Sequence, residues 1–444
     1  MNNSIASHPK VTNKVKQTLS KHLLADGFDF VMDFEKSHGS WIHDKLTGKD
    51  FLDMFSMFAS ASIGYNHPYL VEKSGWLGKM AINKPTLADV YSEEFADFLD
   101  VFERVVIPKE LQYAFFISGG TLAVENAMKA CFDWKTRKNF EKGIQTEAGI
   151  CIHFKQAFHG RSGYTLSLTN TSDPRKYQYF PKFDWNRITN PKLYFPITET
   201  NLQATVQNEK QALAEIEQAF FSNPNKVACI IIEPIQAEGG DNHFRNEFFV
   251  ELRKQCDKNE ALLIFDEVQT GMGITGKMWA FQHFGVVPDV ISFGKKTQVC
   301  GILANKKKFD EVPRNVFVES SRINSTFGGD FSDMCRLRLI LEVIEKENLV
   351  ENARITGNYL LERLKKLEER HSYLVSNARG RGLMCAIDLP TGEIRNKMRD
   401  ELYKEGLIIL GCGDSSLRFR PHLNVTEKEI DLAIDKIDKA LSGK

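Results

Sequence analysis

Short runs dominated by apolar residues punctuate the middle of the chain, at 113–117, 149–154, 227–235, 261–265 and 286–291. Each suits one strand and is too short for a helix. Their apolar residues do not alternate with polar ones, as expected of strands buried on both faces. Between most of them the apolar residues fall at helical spacing, as at Leu122, Ala123, Ala127, Ala130, Cys131 and Trp134. Strand and helix in alternation predict an α/β fold with a largely parallel sheet.

The flanks read differently. Residues 12–35 are polar with scattered apolar positions, which predicts a short helix and an extended arm. Apolar flanks around Asp44, Thr47 and Gly48 predict a hairpin over 39–54, and 64–68 is a loop. The Pro-, Asn-, Lys- and Tyr-rich stretch 169–200 reads as a long loop, a kind that tends to be functional. After Gly329, strong helical periodicity over 334–367 (Leu337, Ile340, Leu341, Ile344, then Tyr359, Leu360, Leu364, Leu367) predicts one long connecting helix. Strand and helix patterns then alternate to the end, as in a small α+β domain. The expected division is 1–70 as an N-terminal arm and part of the small domain, 71–335 as the large domain, and 336–444 as the C-terminal small domain.

Composition narrows the classes. Lys+Arg and Asp+Glu both number 58, so no global field favours nucleic acid or an acidic membrane. An aromatic share of 11% with 32 phenylalanines implies a sizeable folded core. The eight cysteines form no CxxC pair and no zinc-like grouping, and several sit in apolar runs. Buried reduced thiols in a cytoplasmic protein are the expectation, with no metal. The start MNNSIASHPK lacks an apolar signal core, and no apolar run approaches the ~18 residues that span a bilayer.

Candidate chemistry gathers at strand ends. Asp266-Glu267 closes the 261–265 run, and Lys295-Lys296 follows the next strand candidate. In open α/β sheets ligands sit outside the carboxyl ends of the strands, so acid and amine would face one crevice. That pair suits a carbonyl-type cofactor: the amine makes a Schiff base and the carboxylate keeps a ring nitrogen protonated. A solvated turn is the plainer reading of the same residues. Ser118-Gly-Gly-Thr121, between a strand and a helix, offers either an anion site at a helix N-terminus or an ordinary capped turn.

Phe158 can stack on a planar ring, Arg161 can hold a carboxylate, and His159 orients their loop. Glu233 and Glu238 stand on another strand-end loop. Gly271-x-Gly273-x-x-Gly276 matches a nucleotide fingerprint, but a five-residue spacer separates it from its strand. It reads instead as a flexible active-site turn. Arg379-Gly-Arg-Gly382 reads as a turn.

Taken in order, Ser-Gly-Gly-Thr, Phe-His-Gly-Arg, Asp-Glu-Val-Gln, Asp-x5-Lys, Ser-Thr-Phe-Gly-Gly and Arg-x-x-Pro make a specific series. It resembles the class III aminotransferases of the fold-type I, pyridoxal-phosphate-dependent group, from about residue 30 to 435. The strings AFHGRSGYTLSLTNT, FGKKTQVCGI and RINSTFGGDFSDM look most similar to the lysine-specific subgroup. Many class III members carry two glycines shortly after the reactive lysine; here the run is Lys-Lys-Thr-Gln-Val-Cys-Gly301, a look the subgroup shares.

The resemblance implies a large domain with a seven-stranded, mostly parallel sheet that binds pyridoxal 5'-phosphate. It implies Lys295 as the Schiff-base lysine and proton shuttle, with Lys296 the rival register, and Asp266 as partner of the pyridinium nitrogen. Gln269 would contact the ring hydroxyl, Phe158 would stack on the ring, and Gly120 and Thr121 would bind the phosphate. Ser325 and Thr326 would reach the phosphate of a partner subunit, which implies a homodimer with shared sites. For substrates the resemblance implies L-lysine and 2-oxoglutarate, with L-glutamate as product. Arg161 and Arg418 would hold carboxylates, and Glu238 would pair with Arg418 as a switch between the two half-reactions.

Overall fold

The computed structural model describes residues 14–443. The stretch MNNSIASHPK lies outside the described residues, as do residues 12 and 13 at the head of the polar arm. The arm continues as a short helix, Lys14–Leu19.

Seven strands form the main sheet, in the spatial order Tyr113–Ile117, Cys300–Ala304, Val290–Phe293, Leu262–Asp266, Val227–Ile232, Ile150–Phe154, Arg187–Ile188. All pair in parallel except Cys300–Ala304, which runs antiparallel to both of its neighbours. The sheet is buried on both faces, as its continuous apolar strands require. Ile231, Ile264, Val290 and Ile302 pack under the helix Gly120–Glu141 through Ala127, Ala130, Cys131 and Trp134. Ile230, Leu263, Phe265 and Ile291 point to the other face, where Phe248 and Phe249 of the helix Asn246–Asn259 cover them.

Two smaller sheets complete the molecule. Ser376–Arg381, Met384–Asp388, Ser416–Phe419 and Leu410–Cys412 form an antiparallel sheet of four strands. The expected hairpin, Trp41–His43 with Asp50–Asp53, is joined in parallel by Leu407–Ile408. The N-terminal segment is thereby built into the C-terminal part of the chain.

Three expectations need correction. The long helix over 334–367 is two helices, Phe331–Lys346 and Leu349–Arg370, broken where Asn348 takes a left-handed φ of 51°. Asn tolerates that conformation better than most residues, and periodicity alone does not register the break. Arg379 and Arg381 belong to a strand; only Gly382 and Leu383 make the turn. Finally, the glycine-rich stretch 271–276 is not a flexible active-site turn. It is almost wholly buried and forms the floor against which that turn packs. Gly382 has φ +55°, and a Cβ there would lie 2.4 Å from the Thr275 carbonyl carbon.

Candidate active site

Five parallel strands deliver their carboxyl ends to one cavity of about 210 Å³, where Lys295, Asp266, Phe158, Gln269, Gly120 and Thr121 meet. The topology therefore brings together six positions that span 176 residues of chain from Gly120 to Lys295.

The acid pair separates cleanly. Asp266 faces the cavity, with Oδ1 accepting from Ser292 Oγ at 3.0 Å and from the Val268 amide at 3.1 Å. Glu267 turns into the core and accepts from Thr270 Oγ1 and from the Ala280 and Phe281 amides at 2.5, 3.0 and 2.7 Å. Burial, above all, pushes the Glu267 carboxyl up to about 7.

The lysine pair separates too. Lys295 lines the cavity, half-buried, in a 3-10 turn over Lys295–Thr297. Its own φ is 52°, a left-handed conformation that costs a non-glycine residue about 1–3 kcal/mol and persists only where surrounding packing imposes it. Burial, then the nearby Arg418 charge, holds its amine below the ordinary lysine range. Lys296 points the opposite way. Its Nζ donates to Ala61 O at 2.8 Å and to Ser56 Oγ and Pro421 O at 3.2 Å each, and burial pushes it down to about 7. Of the two, Lys295 alone borders the cavity.

Gly120 and Thr121 begin the 22-residue helix Gly120–Glu141, whose first amides are free of intrahelical partners. The loop bearing Phe158 is pressed against this helix end: a Cβ on Gly160 (φ +139°) would lie 2.5 Å from Thr121 Oγ1. Two groups that the motifs did not single out for this cavity also line it. His159 Nδ1 lies 2.6 Å from Asp266 Oδ2. Burial disfavours the imidazolium, but the hydrogen bond and charge of Asp266 prevail and raise the His159 pKa. Glu233 accepts from the Phe158 and Ala237 amides at 2.9 and 3.1 Å, and burial pushes it up to about 7.

A second cavity of about 870 Å³ opens onto Lys295 from the small-domain side and holds Arg161, Glu238, Arg418 and Lys176. Arg418 is buried and lies in the strand Ser416–Phe419; its Nη2 donates to Glu238 Oε2 at 2.9 Å. Arg161 is exposed at the mouth. Lys176, from the long loop, carried no sequence signal beyond its place there. Ser325 and Thr326 border neither cavity in this single chain. Ser325 Oγ accepts from the Gly328 amide at 3.1 Å, and Thr326 is exposed.

These groups suit pyridoxal phosphate. A helix N-terminus flanked by small residues suits its phosphate, a buried carboxylate its ring nitrogen, an aromatic side chain its ring face, and a lysine with depressed pKa its aldehyde.

Known proteins agree with this chemistry. The family described as aminotransferase class-III matches residues 24–441. An L-lysine-epsilon aminotransferase of Mycobacterium tuberculosis is 47% identical over 442 residues, 99% of this chain and 97% of that one. One from Amycolatopsis lactamdurans is 46% identical over 434 residues, covering 97% and 96%. The solved lysine aminotransferase from M. tuberculosis in the internal aldimine form superposes with a TM-score of 0.94 at 48% identity, over 97% of this chain and 99% of that one. Identity at this level over nearly the whole length, on the same fold, places the chain in the pyridoxal-phosphate-dependent class III aminotransferases.

Proposed function

We propose that the protein transfers the ε-amino group of L-lysine to 2-oxoglutarate, giving 2-aminoadipate 6-semialdehyde and L-glutamate in two alternating half-reactions. The semialdehyde then cyclises, because its free α-amine reaches its own aldehyde. The observation that carries the reading is the Glu238–Arg418 pair, which faces Arg161 in one cavity beside Lys295. The kinship with the lysine-epsilon aminotransferases supports it.

Pyridoxal phosphate, when bound, supplies an electron sink for the carbanion at the amine-bearing carbon. Lys295 Nζ would hold the cofactor's aldehyde and, once freed, would accept the substrate's proton; its depressed pKa leaves a larger share of neutral amine to do so. Asp266, steadied by His159 and Ser292, would keep the cofactor's ring nitrogen protonated. Phe158 would stack on the ring, Gln269 would meet the ring hydroxyl, and Gly120 and Thr121 would take the phosphate.

The arginines divide the carboxylates. Lysine reacts at its far end, so its α-carboxylate lies distant from the cofactor, on Arg161, while Glu238 covers Arg418. 2-Oxoglutarate reacts beside its α-carboxylate, which takes Arg418 and displaces Glu238, while Arg161 takes the distal carboxylate.

A homodimer belongs to this reading. Ser325 and Thr326 reach a partner's phosphate, which fits their distance from their own chain's cavities. So do the division into 71–335 and 336–444, with part of 1–70 joined to the latter, and a reducing cytoplasmic setting, which the eight free cysteines suit.

The test is the visible spectrum of the holoenzyme after separate additions of L-lysine, L-ornithine and 4-aminobutyrate without acceptor. Lysine should bleach the cofactor band fastest. Faster bleaching by either other donor would make the protein an aminotransferase for that ω-amine instead.

A further inference from the structure

Glu238 bridges two cations. Its Oε2 accepts from Arg418, and its Oε1 accepts from Lys176 Nζ at 2.5 Å. The two cations are mounted differently. Arg418 is buried in the middle of the four-stranded antiparallel sheet, and its Nε and Nη1 have no hydrogen-bond partner among the described residues. Lys176 ends the short turn Pro174–Lys176, which Asp173 caps by accepting from the Arg175 amide. Its amine lies 5.8 Å from the centre of the Phe158 ring. The segment is fastened to the same corner as Glu238: Ser172 Oγ donates to Gly413 O at 3.1 Å, and the Gly413 amide donates to Glu238 O at 2.9 Å.

When an acceptor carboxylate takes Arg418, Glu238 loses one of its two cations inside a partly dry cavity. A carboxylate left there without a cation would be strongly disfavoured. Arg418, held by its sheet, cannot follow Glu238. Lys176 can, because its charge sits on a flexible four-carbon stem with three rotatable donors.

We propose that Lys176 is the companion cation of the Glu238 switch: it stays with the carboxylate when Arg418 is surrendered, so that the displaced Glu238 remains neutralised. This rests on the two-state reading of Glu238 given above. Lys176 then acts as a positioning residue, through Glu238, and determines how well the enzyme accepts an α-keto acid after it has accepted lysine. The asymmetry follows from the pairing. Without Lys176, the lysine state still has Glu238 on Arg418. The 2-oxoglutarate state has Glu238 on nothing.

Single-turnover half-reactions of the holoenzyme test this with K176M, K176R and E238A. K176M should lose at least about tenfold in rate over half-saturation for 2-oxoglutarate, mostly in half-saturation, and stay within about threefold for L-lysine. K176R should restore 2-oxoglutarate use to within about threefold. E238A should hurt the lysine half-reaction more than the glutamate half-reaction. If E238A is asymmetric as expected while K176M weakens both halves equally, weakens lysine more, or changes neither, the companion role is overturned. If E238A itself affects both halves equally, the switch reading fails and takes the companion role with it.

Discussion

His159 Nδ1 and Asp266 Oδ2 lie 2.6 Å apart, in side chains that are 0% and 5% exposed. The contact joins the loop after Ile150–Phe154 to the end of Leu262–Asp266 and, with the Ser292 and Val268 donors on Oδ1, fixes the orientation of the Asp266 carboxylate. A buried, charge-assisted hydrogen bond of this kind contributes about 1.5–3 kcal/mol. H159N should therefore reduce the lysine half-reaction roughly tenfold or more and weaken retention of pyridoxal phosphate, while the fold survives. Stopped-flow bleaching by L-lysine, with cofactor dissociation followed on the same samples, checks it. A variant with wild-type rate and retention would show that Asp266 needs no such support.

The two adjacent lysines should behave as different residues. K295A should abolish bleaching by L-lysine, because among the described residues no other amine borders the cavity beside Asp266. K296M should keep the bleachable band.

For Lys296 the pH dependence has a definite sign. Burial lowers its pKa to about 7 from the ordinary lysine value of about 10.4. Between those values the unfolded chain binds more protons than the native one, so wild-type stability rises with pH relative to K296M. The gain approaches but does not exceed about 1.4 kcal/mol per pH unit. Below about pH 7 both states are protonated and the difference is flat. Denaturant unfolding of both proteins at pH 6, 7.5 and 9 measures it, and a difference that shrinks with rising pH would contradict the burial argument.

The main sheet was legible because strands buried on both faces advertise themselves as continuous apolar runs, as Val227–Ile232 does with six buried residues in succession. Cys300–Ala304 escaped because it follows directly on the Lys295 turn and contains Gly301, so nothing set it apart from a loop. The cavity's corners were legible as strand-end motifs. What joins them was not. His159 and Asp266 are 107 residues apart, and Lys176 and Glu238 are 62 apart. Sequence periodicities of 2 and 3.6 residues report neighbours on one element, and a charge pair that closes across elements leaves no such trace. The Asn348 break was hidden for a related reason: apolar positions continue on both sides of it, at Ile344 and Leu349.

Gly382 gives a stability prediction independent of chemistry. A Cβ would meet the backbone of Ile274 and Thr275 at 2.5 and 2.4 Å, in a left-handed conformation that already disfavours alanine. Neither contact is a flexible side-chain end, so the turn and the 271–276 floor must move apart. G382A should destabilise the protein by about 2 kcal/mol or more, read as a lowered unfolding midpoint. Activity per folded molecule should change less than threefold, since the turn borders neither cavity.

Arg161 and Arg418 provide the sharpest separation of the two half-reactions. Arg418 is buried and engaged with Glu238, so on the proposed division it is already paired in the lysine half-reaction and meets no substrate carboxylate. In the 2-oxoglutarate half-reaction it must take the carboxylate itself. Removing it then leaves that carboxylate without its guanidinium, a loss of about 2–5 kcal/mol for a buried charge pair. R418Q should thus slow the 2-oxoglutarate half-reaction by about 30-fold or more, and the lysine half-reaction by less than about fivefold. On the same division Arg161, exposed at the cavity mouth, would serve a distal carboxylate in both halves, in a more solvated setting than Arg418. R161Q should raise half-saturation for both substrates by a similar factor, about tenfold, with little change in limiting rate. Single-turnover titrations of both variants with both substrates give four numbers. The division of carboxylates requires that R418Q split the two substrates and that R161Q not split them. Two variants with the same profile would mean that the arginines act as one positive field and that the Glu238–Arg418 pair does not sort the substrates.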